Sequence, residues 1–131
     1  MAATTTAAET TKSMPRPLRA TVDLSALRHN LGVARRHAPH ARIMAVIKAN
    51  GYGHGMLRVA KALDDADGFA VLNLSEAIAL REAGFRQEIL LLEGFFSADE
   101  LPLLFQHGLS SVFHAQWQID ALLQSQASRP I

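Results

Sequence analysis

A chain of 131 residues with 49% hydrophobic content suits one domain with a real core, and a net charge of +1 excludes the strong basic field of a nucleic-acid binder. The absence of cysteine excludes disulfides, thiol catalysis and thiolate metal sites, which fits a reducing cytoplasm. No apolar stretch approaches the ~20 residues that span a bilayer, so no membrane partner is expected.

Residues 1–17 are rich in Ala and Thr, lack an apolar signal core and end in Pro15-Arg16-Pro17, so they read as a disordered N-terminal extension. From Leu18 onward, short β-rich runs alternate with helical patterns. Ala20-Thr21-Val22 reads as a first short strand. Asp23 then caps a helix whose Leu24, Leu27, Leu31 and Ala34 form one apolar stripe, ended by Ala38-Pro39. The run Ile43 to Ile47 is apolar throughout, as suits a strand buried on both faces of a parallel sheet. Gly51, Gly53 and Gly55 break the chain into a loop, and a helix resumes from Met56 to about Asp64.

The cycle then repeats. Phe69 to Leu72 is strand-like and is followed by a helix from Ser75 to about Ala83, stopped by Gly84. Ile89 to Leu92 is a strand, followed by a helix that Ser97 and Glu100 open as a capping box, with Pro102 early enough to bend it. Ser111 to Phe113 is a short strand before a helix from Trp117 to Gln124. Val46, Val71, Leu91 and Val112 recur every ~20–25 residues, the rhythm of βα units. The fold class is α/β with a parallel sheet, either an open doubly wound sheet or a stretch of a (β/α)8 barrel. A full barrel needs ~250 residues, so residues 18–131 would form only its first half. With Pro130-Ile131 standing where another strand would begin, the chain reads as cut rather than finished.

The chemistry concentrates in Ala45-Val46-Ile47-Lys48-Ala49-Asn50-Gly51-Tyr52-Gly53-His54-Gly55. An apolar strand delivers Lys48 to its C-terminal end, where parallel α/β folds bind ligands. An amine held among apolar neighbours can condense with a carbonyl compound, and when free it can act as a general base. The glycines would let backbone N–H groups approach an anion, helped by the N-terminus of the next helix. Tyr52 adds a hydroxyl nearby. An aldehyde that also carries a phosphate, pyridoxal 5'-phosphate, answers all three features.

The run from Val46 to Gly55 resembles the cofactor-attachment signature of the alanine racemase family: lysine, Ala-Asn, a small residue, then Tyr-Gly-His-Gly. Ala26 to Asn30, Phe69 to Glu76 and Leu91 to Phe96 are similar to the same family, so the likeness covers most of the chain from Leu18 to Gln124. The resemblance implies that Lys48 binds pyridoxal phosphate and serves as one of two catalytic bases, with Tyr52 on the cofactor phosphate. It implies interconversion of L- and D-alanine, supplying D-alanine for peptidoglycan, by a cytoplasmic homodimer built from a TIM-like barrel and a β-rich domain. The first short strand would join that second domain. The opposing tyrosine base, which the family takes from the partner subunit, and the arginines facing the cofactor ring and the substrate carboxylate have no counterpart in this sequence. The chain alone is therefore expected to be inactive. The alternatives are a non-catalytic pyridoxal-phosphate-binding barrel, disfavoured by the Tyr52 to Gly55 continuation, and an inactive truncated relic.

Other residues carry plainer readings. His54, between glycines, would orient the loop by hydrogen bonding. His29, His37 and His40 with Arg28, Arg35, Arg36 and Arg42 read as a solvated basic face and not a metal or nucleic-acid site. Asp64, Asp65 and Asp67 lack the spacing of a calcium loop, and no metal is expected. Glu93 ends a strand near the site, and Phe95, Phe96 and Trp117 read as core.

Overall fold

In a computed structural model, which describes residues 19–125, Asp23 does what its place before the apolar stripe requires. Its Oδ1 accepts from the backbone N–H of Ser25 at 2.8 Å and of Ala26 at 3.2 Å, opening helix α1 (Leu24–His37), which Ala38 ends. The expected disordered extension, residues 1–17, lies outside the described residues, as does the segment after Ser125.

The remaining elements follow the predicted rhythm: β1 (Met44–Val46), a short helical turn α2 (Lys48–Tyr52), α3 (Met56–Ala62), β2 (Gly68–Val71), α4 (Leu74–Glu82), β3 (Glu88–Leu91), a 3-10 turn (Ala98–Glu100), α5 (Leu101–His107), β4 (Ser110–Ser111) and α6 (Gln116–Gln124). All three strand pairings are parallel and the sheet order is β1-β2-β3-β4. A doubly wound sheet reverses its strand order at a switch point, whereas a barrel adds each strand beside the last. The sequential order therefore identifies part of a TIM-like barrel.

One face of the sheet carries the core. Phe69 and Val71 of β2 and Ile89 and Leu91 of β3 are fully buried with Val59, Leu80, Leu101 and Leu104 from the helices. Burying each such side chain is worth about 1.5–3 kcal/mol. Phe69 meets Phe85 edge-on at 5.5 Å, and Phe95 does the same with Phe113 and Trp117 at 5.9 and 5.4 Å. Leu90 and Leu92, pointing to the opposite face, are only half-buried.

Several expectations need correction. Residues 19–23 have no regular structure, so Ala20 to Val22 is not a strand; no described strand pairs with it, and a strand without a ladder partner leaves its backbone groups to water. β1 is not buried on both faces. It pairs with β2 alone, and Val46, on the face that the helices leave open, is 43% exposed. Ser97 and Glu100 open a 3-10 turn instead of an α-helix: Ser97 Oγ accepts from Asp99 N, and Glu100 Oε2 from Phe96 N at 2.9 Å. Pro102 falls in the first turn of α5, where its missing N–H costs no helical hydrogen bond. Phe95 is core as expected, but Phe96 and Trp117 are 61% and 46% exposed.

The connections entering β3 and β4 share one cation. Arg81 of α4 donates to the carbonyls of Phe85 and Gln87 before β3 and of His107 and Gly108 before β4, all at 2.8–3.0 Å. Burial, aided by the nearby Arg86, lowers its pKa from the ordinary arginine value. Among the described residues no helix is long and apolar enough to cross a membrane.

Candidate active site

Lys48 lies two residues past the end of β1, after the buried Ile47, and is half-buried at the C-terminal end of the sheet. The chain does not continue there as an ordinary loop or helix. Ala49, Asn50 and Gly51 have φ of 51°, 54° and 62° and ψ of 53°, 42° and 42°, and Tyr52 has φ of 54°, so the turn winds left-handed. For most residues with a Cβ this winding costs about 1–2 kcal/mol each, which falls on Ala49 and Tyr52, whereas Asn50 tolerates it more readily. The third position, Gly51, suits glycine both by its φ of 62° and by its surroundings. A Cβ on Gly51 would sit 3.2 Å from Val59 Cγ2 and 3.4 Å from the Met56 backbone.

Hydrogen bonds hold the turn. Gly51 N donates to Ile47 O at 2.9 Å, Gly53 N to Ala49 O at 3.1 Å and Gly55 N to Asn50 O at 2.8 Å. Asn50 Oδ1 accepts from Met56 N at 2.9 Å, at the start of α3. His54 Nδ1 lies 3.1 Å from the carbonyls of both Gly51 and Tyr52, so an Nδ1–H tautomer donates to them and pins the loop. That agrees with the orienting role read from its place between glycines.

The anion cradle expected of the glycines is not formed. All three glycine N–H groups are spent on backbone carbonyls, and Asn50 takes the first N–H of α3. The glycines serve the tight left-handed path, not phosphate contact. The same turn carries the hydroxyl of Tyr52 on a side chain 59% exposed and begins at the half-buried Lys48. Beside them Gly53 leaves open space, since a Cβ there would meet nothing within 4 Å. Tyr52 also borders an apolar cavity of about 300 Å³ with Leu27, Val46, Val59 and Leu63. An amine and a phenol on one braced turn fit a phosphorylated aldehyde at its two ends.

A residue with no role assigned from sequence joins this turn to the next strand. Glu76, in the first turn of α4, accepts from Ala49 N at Oε1 and from Leu72 N at Oε2, both at 2.9 Å. Its own N–H donates to Asn73 Oδ1 at 3.0 Å. The Asn73-x-x-Glu76 spacing of a capping box was a usable signal, but such a glutamate ordinarily turns back to its own N-cap and not across to another strand.

The other candidates lie apart from this centre. Glu93 is exposed at the end of β3. His29, His37 and His40 are exposed on and just beyond α1, and Arg35 pairs with Asp67 at 3.9 Å. Asp67 Oδ2 accepts from Ile43 N at 2.7 Å, which gives it a structural task ahead of β2.

Comparison with known proteins places the chain. Residues 22–131 match the family described as alanine racemase, N-terminal domain. The chain is 61% identical over 110 residues to an alanine racemase of Nitrosomonas europaea, covering 84% of this chain and 30% of that protein. It is 56% identical over 118 residues to a catabolic alanine racemase of Klebsiella aerogenes, covering 90% and 33%. Among solved structures, the biosynthetic alanine racemase of Pseudomonas aeruginosa superposes with a TM-score of 0.79 at 48% identity, over 84% of this chain and 31% of the other. The chain thus spans about a third of the length of the curated relatives it matches. On these matches and the sequential parallel sheet, the chain belongs to the alanine racemase N-terminal domain family.

Proposed function

We propose that this chain supplies the cofactor lysine and one catalytic base of a pyridoxal-phosphate-dependent racemase that interconverts L- and D-alanine. The observation that carries the reading is Lys48 at the C-terminal end of β1, fixed by a left-handed turn that also bears Tyr52. Lys48 would hold the cofactor through Nζ, and Tyr52 would donate its hydroxyl to the cofactor phosphate. When bound, the cofactor supplies a conjugated ring that spreads the negative charge left by removal of an α-proton. As a free amine, Lys48 takes or returns a proton on one face of the substrate α-carbon. The hydrogen-bonded turn fixes the backbone from which Lys48 leaves, and His54 and Asn50 keep the turn closed. The base for the opposite face lies outside this chain, so racemisation belongs to a longer assembly, in the reading a cytoplasmic homodimer serving peptidoglycan synthesis.

Reduction of the chain with borohydride in the presence of pyridoxal phosphate, followed by peptide mapping, tests this reading. The phosphopyridoxyl group is expected on Lys48 and is expected to vanish in Lys48→Ala. Labelling spread over Lys61 and other exposed amines, with none favoured at Lys48, would refute the assignment.

A further inference from the structure

We infer that Glu76 is a positioning residue for Lys48: its carboxylate holds the left-handed turn against the end of β2, so that α4 sets the direction in which Lys48 leaves the sheet. The inference rests on the reading of Lys48 as the cofactor lysine and names a second group on which that site depends. Three features carry it. The two oxygens of one side chain accept from Ala49 N, the residue directly after Lys48, and from Leu72 N, directly after β2, each at 2.9 Å. The turn so held is wound against the preference of Ala49 and Tyr52, and it needs an external fastening to persist. Finally, the carboxylate is committed to this task. Neither ion pair among the described residues involves Glu76, and its charge is balanced by the two N–H donors and by the N-terminus of α4.

The chemistry makes the choice of residue specific. Both partners are donors and each meets a different oxygen, so the side chain must present two acceptor atoms, as a carboxylate does. Glutamine offers one acceptor and turns an NH2 group toward the other N–H. Aspartate, one methylene shorter, cannot reach both strand ends from the same helix position.

The test compares wild type with Glu76→Gln, Glu76→Asp and, as control, Glu82→Gln on the exposed side of the same helix. Two quantities are read: amide hydrogen exchange without cofactor, and the concentration of pyridoxal phosphate that half-labels Lys48 on reduction. In Glu76→Gln and Glu76→Asp, exchange at Ala49 or Leu72 is expected to rise about 10-fold or more, the loss of one charge-assisted hydrogen bond. The half-labelling concentration is expected to rise by a similar factor, while Ile89 and Leu91 in β3 keep their protection and Glu82→Gln changes nothing. Unchanged exchange at both amides, or unchanged labelling, overturns the inference. So does loss of protection throughout β3, which would make Glu76 a general support of the fold. If wild type itself fails to label at Lys48, the proposed function falls. The exchange measurement then still decides whether Glu76 fastens the turn, and selective acceleration at Ala49 or Leu72 upholds that fastening.

Discussion

At the N-terminal ends of β3 and β4, positive φ falls only on glycines, Gly84 and Gly108, and one guanidinium satisfies the carbonyls around them. At the C-terminal end of β1, positive φ falls on Ala49, Asn50 and Tyr52 as well as Gly51, and a carboxylate satisfies N–H groups there. The first rim uses residues that adopt the required backbone freely and closes off its polar groups. The second holds residues in a conformation they resist and carries Lys48 and the exposed Tyr52. Strain of that kind persists only where surrounding contacts over-determine it, and among the described residues it sits on the segment with the candidate chemistry.

Substitutions can break this contrast. Arg81→Ala strands four carbonyl groups at the relaxed rim and is expected to cost about 2–4 kcal/mol, read as a lower urea midpoint, while labelling at Lys48 is unchanged under conditions where the chain stays folded. Arg81→Lys recovers only part of this, because an ammonium cannot span both pairs of carbonyls. Gly51→Ala attacks the strained rim. With φ at 62° and Val59 Cγ2 3.2 Å from the new methyl, about 1–3 kcal/mol of stability is expected to be lost, together with labelling at Lys48. Ala49→Gly should do the reverse to stability, raising it by about 0.5–1 kcal/mol at φ of 51°. If Ala49→Gly destabilises in a urea titration, the turn is not strained and the contrast fails.

Acid sharpens the comparison with the smallest effect. Hydrogen bonds from the Ser25 hydroxyl and the Ala26 and Ser25 backbone hold the Asp23 carboxyl below its ordinary value of 3.8. The Ile43 N–H, aided by Arg35 and Arg42, does the same for Asp67. A carboxyl with a depressed folded pKa contributes stability that is present above its unfolded value and lost as pH falls through the folded one. Stability should therefore hold down to about the ordinary carboxylate value and decline below it, and Asp67→Asn should flatten part of that decline in pH-dependent urea melts.

The fold was legible where burial dictates residue type. Phe69, Val71, Ile89 and Leu91 mark β2 and β3 because a helix-covered parallel strand must be apolar. β4 was harder: its paired residues are Ser110 and Ser111, and the apolar Val112 and Phe113 next to them lie just past the pairing. The placement of Lys48 and Tyr52 past the end of β1 was legible from the apolar run before them. The left-handed winding was not, since Ala49 and Tyr52 carry no local preference for positive φ. The glycine spacing suggested an anion cradle because a sequence does not say which N–H groups the backbone will consume. Glu76 was hidden for a related reason, as its partner Ala49 N lies 27 residues away.

Arg81 has one more consequence. Because its single guanidinium serves the connections before both β3 and β4, neither can swing away without withdrawing a cation from the other's carbonyls. The two βα units are thereby made thermodynamically interdependent. They are built to melt as one cooperative block and not to peel from the sheet in turn.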